Sequence, residues 1–154
     1  MNVEHILVAK GRDVLTIEPS RTLADAARAL TEKRIGAVIV GGPDEAVLGI
    51  LSERDIVRAV ARGGASALEH PVSQHMTGKV VTCTRQTTIN ELMDEMTRRK
   101  FRHMPVVENG RLCGIISIGD VVKHRLTELE AEQRSMHEYT ATEYSAGRTP
   151  HREF

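Results

Sequence analysis

The sequence predicts an α/β (α+β) fold built twice: two βαββα units packed side by side with pseudo-two-fold symmetry. Three observations lead there. First, Gly49-Ile50-Leu51-Ser52-Glu53-Arg54-Asp55 returns as Gly114-Ile115-Ile116-Ser117-Ile118-Gly119-Asp120. Second, the likeness extends at a nearly constant offset: Val14-Leu15-Thr16 matches Val80-Val81-Thr82, Thr22-Leu23 matches Thr88-Ile89, and the run from Ile35 to Val40 matches that from Phe101 to Val106. Third, both halves place turn chemistry between two apolar runs at the same point, Gly41-Gly42-Pro43-Asp44 in one and Asn109-Gly110 in the other. Internal repetition fixes architecture, and two long copies suit halves that bury a face against each other better than an open array.

Each element follows in order. Val3, Ile6, Leu7 and Val8 make residues 1–11 a short helical lead-in, matched before the second half by Val72-Ser73-Gln74-His75-Met76. Val14–Ile17 reads as a strand closed by Pro19, which has no N–H to donate. Thr22 opens a helix with Asp25 as a capping box, and Leu23, Ala26, Ala27 and Leu30 recur at helical spacing. Lys33 and Arg34 close that helix, where cations suit the C-terminal dipole. Ile35–Val40 is a β-branched strand and Val47–Leu51 its return. Ser52 starts a helix running from Asp55 to about Ala61, and Gly63-Gly64-Ala65-Ser66 opens a linker.

The second half repeats the order: strand Val80–Cys83, helix Thr88–Lys100 with a Thr88–Glu91 capping box, strand His103–Val107, strand Leu112–Ile116, and a helix from Ser117. That last helix carries Val121, Val122, Leu126, Leu129 and Met136 on one apolar stripe. From about Thr140 the chain reads as a polar, frayed tail. The expected divisions are residues 1–62 for the first unit with its lead-in, 63–71 for the linker, 72–126 for the second unit, 127–140 for a helical extension and 141–154 for the tail. The hairpin strands and helices are expected to be buried between the halves, with a cleft along the junction.

Composition narrows the function. The 154 residues hold 21 Lys+Arg against 21 Asp+Glu, so no basic excess favours nucleic acid, and 3% aromatic residues offer few base-stacking platforms. The core must come from Val, Ile, Leu, Ala and Met, with Met76, Met93, Met96 and Met104 as filler. Cys83 and Cys113 lie in apolar runs and read as small buried hydrophobes; without a secretory signal no disulfide is expected. No apolar run approaches the ~20 residues of a membrane span, and a cytoplasmic setting is the expectation. His70 and His75, five positions apart around Pro71, do not have the spacing of a helical metal pair, and no metal site is expected. Nothing surrounds a serine with an activating His and Asp, so no enzymatic activity is expected.

The repeated Ser-x-x-Asp carries the candidate chemistry. A carboxylate accepts from a ribose diol, and a helix N-terminus attracts an anion, so Ser-x-x-Asp at the end of a strand suits a nucleotide. The same pattern is also a capping box that satisfies orphan N–H groups unaided. Arg34 and Arg54 in the first half, and Arg102 and His103 in the second, could meet phosphate from two sides, or in part simply close helices. Arg102 stands where the first half has Gly36, so two clefts would not be equal.

The ordered set of Ile-Gly-Ala-Val-Ile-Val, hairpin and Gly-Ile-Leu-Ser-Glu-Arg-Asp, repeated as Arg102-His103-Met104-Pro105-Val106-Val107 and Gly114–Asp120, resembles the cystathionine-β-synthase (CBS) domain over roughly residues 3–126. Two in tandem are similar to a stand-alone Bateman module. The resemblance implies a regulatory, energy-sensing protein that holds AMP, ADP, ATP, NADH or S-adenosylmethionine between its repeats, needs no cofactor, and forms homodimers through its helices. Carried over by position, it implies that Asp55 and Asp120 accept from ribose and that Ser52 and Ser117 lie near ribose or phosphate. Backbone around Thr16–Ile17, Ala37–Val38, Thr82–Cys83 and Met104–Pro105 would then bracket adenine, with Arg102 and His103 reaching phosphate. The alternatives are a dimerisation or docking module with an empty cleft, or binding of a nucleic acid.

Overall fold

A computed structural model describes residues 1–41 and 46–145, with side chains described to residue 138. The elements, in order, are α1 (Val3–Lys10), β1 (Thr16–Ile17), α2 (Leu23–Lys33), β2 (Ala37–Val40), β3 (Gly49–Ser52), α3 (Glu53–Gly63), 3-10 turns at Gly64–Glu69 and Val72–Gln74, α4 (Ile89–Arg99), β4 (His103–Glu108), β5 (Arg111–Ser117) and α5 (Ile118–Ser145).

Local chemistry sets the boundaries. The Thr22 hydroxyl accepts from the Asp25 N–H, and Thr88 does the same for Glu91; in each box the acid returns to the cap's own N–H. Arg34 and Lys100 end their helices in the left-handed region (φ 55° and 58°), which releases the last carbonyls and aims the chain back into a strand. Asn109 and Gly110 both have positive φ (52° and 78°), the requirement of a tight hairpin whose twist matches its strands. The matching turn at Gly42–Asp44 lies outside the described residues.

β1 pairs parallel with β2, and β2 antiparallel with β3, in a three-stranded sheet. β4 and β5 form a separate antiparallel pair. The expected strand Val80–Cys83 is reduced to one parallel bridge, Cys83 to Val106, the counterpart of the Ile17–Val40 pairing. Val80 and Val81 instead leave the sheet and face the junction between the repeats.

There are two cores rather than one layer of helices between the halves. Leu23, Leu30, Val38, Val40, Leu51, Ile56, Ala67 and Val72 form the first. Ile89, Leu92, Met96, Met104, Val106, Ile116 and Val121 form the second, joined by Val3, Ile6 and Leu7 of α1. Helices α2 to α5 therefore pack on their own repeat's strands, which corrects the expectation that they are buried between the halves. A βαββα unit this small cannot cover its sheet on both faces, so each helix is drawn to the nearest apolar strand surface.

The lead-ins cross over. α1 precedes the first repeat in sequence but seals the second core, tied by Val3 N–H to Thr87 O (2.9 Å) and Glu4 N–H to Arg85 O (3.0 Å). Val72 and the turn before it seal the first core, with Val72 N–H donating to Arg21 O (2.7 Å) and Leu23 N–H to His70 O (3.0 Å). The stretch read as a linker is thus packed, and Ala67 within it is fully buried.

Two smaller expectations change. Met93 is exposed and does not fill the core, while Cys113 is half-buried and packs against the edge of the second core. α5 continues past Thr140 to Ser145, and residues 146–154 lie outside the described residues.

Candidate functional site

The starts of β2 and β4 meet at the junction. Their registers correspond: Ala37 pairs with Ser52 as His103 pairs with Ser117. Glu53 N–H donates to Gly36 O (3.0 Å) as Ile118 N–H donates to Arg102 O (2.8 Å). A Cβ on Gly36 would lie 3.5 Å from His103 Cε1, so the two strands approach almost to contact.

Beside this contact lies a cleft of about 250 Å³. One wall is the β3–α3 turn with Ser52, Glu53, Arg54, Asp55 and Arg58. The opposite wall is the segment Thr77–Val81 together with Lys100, Phe101, Arg102 and His103. Ile50, Val80, Val81 and Phe101 give it apolar walls suited to a flat ring, and charged groups surround them.

The turn realises both readings of Ser-x-x-Asp. Ser52 caps α3, its Oγ accepting from the Asp55 N–H (3.3 Å), while Asp55 Oδ2 accepts from the Ser52 N–H (2.9 Å) and Oγ–H (3.1 Å). Asp55 Oδ1 takes no part in the cap and faces Arg58 at 3.6 Å. One carboxylate oxygen is structural, and the other is paired with a cation that itself lines the cleft.

Five cations line the cleft, Arg54, Arg58, Lys79, Lys100 and Arg102, against two acids, Glu53 and Asp55. Among the described residues, Arg54, Lys79, Lys100 and Arg102 have no ion-pair partner. Burial pushes the His103 imidazole below its ordinary value, reinforced by Lys10 and opposed by Asp120 and Glu53, so it is neutral at pH 7.

Of the residues expected from sequence to serve a ligand, the structure brings Gly36, Ser52, Arg54, Asp55, Arg102 and His103 into this one cleft. It places others elsewhere. Ile17, Ala37, Val38 and Pro105 are buried in the strands and Thr16 is half-buried. Thr82, Cys83 and Met104 border a groove between α4 and β4, and burial raises the Cys83 thiol to about 12. Arg34 borders a groove between α2 and α3. Ser117 and Asp120 form the second repeat's capping box, in which Asp120 also receives Lys10 at 2.7 Å.

Sequence reasoning missed Lys79, Lys100, Phe101, Val80 and Val81. Phe101 adjoins Arg102 and is one of only two phenylalanines, which was a usable signal. Lys79 and Val80 had none, since they reach the cleft only because the expected strand does not form. His70 Nδ1 and His75 Nε2 are 3.0 Å apart in nearly parallel rings, sharing one N–H···N hydrogen bond beside the α3 face that carries Asp55 and Arg58.

Comparison with known proteins agrees with this geometry. The CBS domain profile matches residues 4–62 and 72–127. The crystal structure of the CBS-domain containing protein ATU1752 from Agrobacterium tumefaciens is 52% identical, with a TM-score of 0.78 over 80% of this chain and 92% of that one. The CBS domain protein PAE2072 from Pyrobaculum aerophilum, complexed with AMP, is 26% identical, with a TM-score of 0.73 over 86% of this chain and 99% of that one. The mitochondrial CBS domain-containing protein CBSX3 of Arabidopsis thaliana is 31% identical over 145 residues, 89% of this chain and 70% of that protein. The chain spans 66% of a curated relative from Acidianus ambivalens and 21% of the longer Arabidopsis relative CBSCBSPB5. No helix among the described residues is long and apolar enough to cross a membrane. With the repeat, the register and the profile in agreement over both halves, the chain belongs to the CBS domain family, as a tandem pair of CBS domains.

Proposed function

We propose that the cleft beside the β3–α3 turn binds an adenine nucleotide by its phosphates, and that the pair acts as a regulatory sensor rather than an enzyme. The observation that carries this is the charge of the cleft: Arg54, Arg58, Lys79, Lys100 and Arg102 against Glu53 and Asp55. Guanidinium forks suit phosphate oxygens bidentately, and the apolar walls leave room for adenine between Phe101 and Val80–Val81. The Asp55 Oδ1 atom, which the cap leaves over, is the ribose acceptor. The excess of cations favours ADP and ATP over AMP. It disfavours S-adenosylmethionine, whose sulfonium would enter an already positive site. The bound nucleotide shifts the shape of the pair by its difference in affinity for two arrangements of the repeats.

A second, compatible reading is a homodimer through the helices. Val57 and Val60 on α3, Met93 on α4, and Val122, Leu126, Leu129 and Met136 on α5 are exposed apolar side chains that a partner copy could cover.

The test is a thermal-shift panel with ATP, ADP, AMP, NADH, S-adenosylmethionine and adenosine, followed by calorimetry. A ligand at 100 times its Kd stabilises by about 2.7 kcal/mol, or roughly 5–10 °C at this length. Asp55→Asn keeps a cap oxygen for the Ser52 N–H and should weaken ATP by about tenfold while leaving the unliganded Tm within a few degrees. A flat panel on protein free of copurified nucleotide would refute the reading.

A further inference from the structure

The two repeats treat the return strands of their hairpins, β3 and β5, differently. In the first, the Ile50 carbonyl accepts from the backbone N–H of Thr77 (2.9 Å). In the second, the equivalent Ile115 carbonyl accepts from the ammonium of Lys10 (2.9 Å), which also meets Asp120 Oδ2 at 2.7 Å. The cause is the length of the lead-in. Leu7 seats on Gly114 as Met76 seats on Gly49. From those seats to Val14 and Val80, the first lead-in has Val8–Asp13 where the second has only Thr77–Lys79. The additional residues continue α1 to Lys10, which lies one turn beyond Leu7 on the same face and so is carried over the end of β5.

The rest of the second junction differs in the same direction. By the repeat, Gly119 stands for Arg54, Asp13 for Lys79 and Ile35 for Phe101, while Gly36 and Arg102 exchange places; Arg34 and Lys123 keep the cations of Lys100 and Arg58. We infer that Lys10 is a built-in occupant of the second cleft, its ammonium held on the cap oxygen Asp120 Oδ2 and the Ile115 carbonyl, beside the carboxylate that a ribose would approach, and so restricting the pair to one nucleotide per chain. The inference rests on the nucleotide reading of the first cleft. The carboxylate of Asp120 lies below its ordinary value because the Lys10 and Ser117 hydrogen bonds outweigh its burial, consistent with a settled ion pair. With the ammonium removed, Arg34, Arg102 and Lys123 stand against Asp13 and Asp120, a smaller cation excess than at the first cleft, so the freed site suits a nucleoside better than a triphosphate.

Residue-resolved amide NMR titrations of the full chain separate the two claims. In the wild type, ATP should move the amides of Arg54 and Asp55, and neither ATP nor adenosine should saturably move those of Ser117–Asp120. In Lys10→Ala, adenosine should move the Ser117–Asp120 amides, with affinity at least tenfold above wild type. Lys10→Met, which keeps most of the aliphatic stem but has no donor for Asp120 or the Ile115 carbonyl, guards against a folding defect and should show a gain of the same sign. Saturable shifts at Ser117–Asp120 in the wild type, or no adenosine gain in either variant, would overturn the inference. Unmoved Arg54 and Asp55 amides under ATP would instead overturn the reading of the first cleft.

Discussion

The seat of α1 on the second repeat can be tested by a double-mutant cycle between Leu7 and Gly114. Leu7 is 1% exposed, and a Cβ built on Gly114 would lie 2.6 Å from Leu7 Cδ2, 3.5 Å from Cδ1 and 3.6 Å from Cγ. Leu7→Ala deletes all three of those atoms. Alone it should cost about 3 kcal/mol, the middle of the range for a buried leucine that leaves a cavity. Gly114→Ala alone adds a methyl to a filled site, at about 2 kcal/mol. Independent effects would sum to about 5 kcal/mol. In the double variant the new methyl occupies space that Leu7 vacated, so the expected loss is about 3 kcal/mol and the coupling about 2 kcal/mol. Urea denaturation of the four proteins reads this directly from the midpoints, provided the slopes are unchanged. Val8→Ala on the same helix, at a residue 71% exposed, should stay within about 0.5 kcal/mol. Additivity within about 0.5 kcal/mol would refute the seat, and with it the placement of Lys10 over Asp120.

Two further outcomes follow from the first repeat and from the junction. Gly49→Ala meets Met76 Sδ at 2.7 Å and the Thr77 carbonyl at 2.8 Å, and that carbonyl is fixed by the Ile50 N–H. It should destabilise by about 2 kcal/mol or more, and Met76→Ala should not rescue it; a rescue like that expected at Gly114 would show the backbone can yield. Because burial lowers His103 in the folded state, the unfolded chain binds the proton more readily. Its share of stability is therefore complete above its unfolded value near 6.5 and declines as pH falls through that value towards the folded one. His103→Gln should flatten the fall of Tm as pH drops below about 6.5, and identical slopes in the two proteins would sink the assignment.

Much of this protein is legible in its sequence because the signals are local. Capping boxes at Thr22, Ser52, Thr88 and Ser117, the Asn109-Gly110 turn and the β-branched runs each act within a few residues, so the repeat and its two βαββα units can be read directly. The pairing of Ser with Asp at the ends of β3 and β5 is equally local, and it locates one wall of the cleft. The other wall was decided by tertiary structure. Val80 and Val81 have strand composition, yet only Cys83 reaches a partner, which frees Lys79–Val81 to line the junction. The exchange of lead-ins was also beyond local reading. Leu7 and Val72 would satisfy either core, and only the shape of the two glycine seats, with the chain length on each side, assigns them. For the same reason the duplicated Ser-x-x-Asp motifs look equivalent in sequence. Their difference comes from a lysine more than a hundred positions away, brought to Asp120 by a helix that packs on the other repeat.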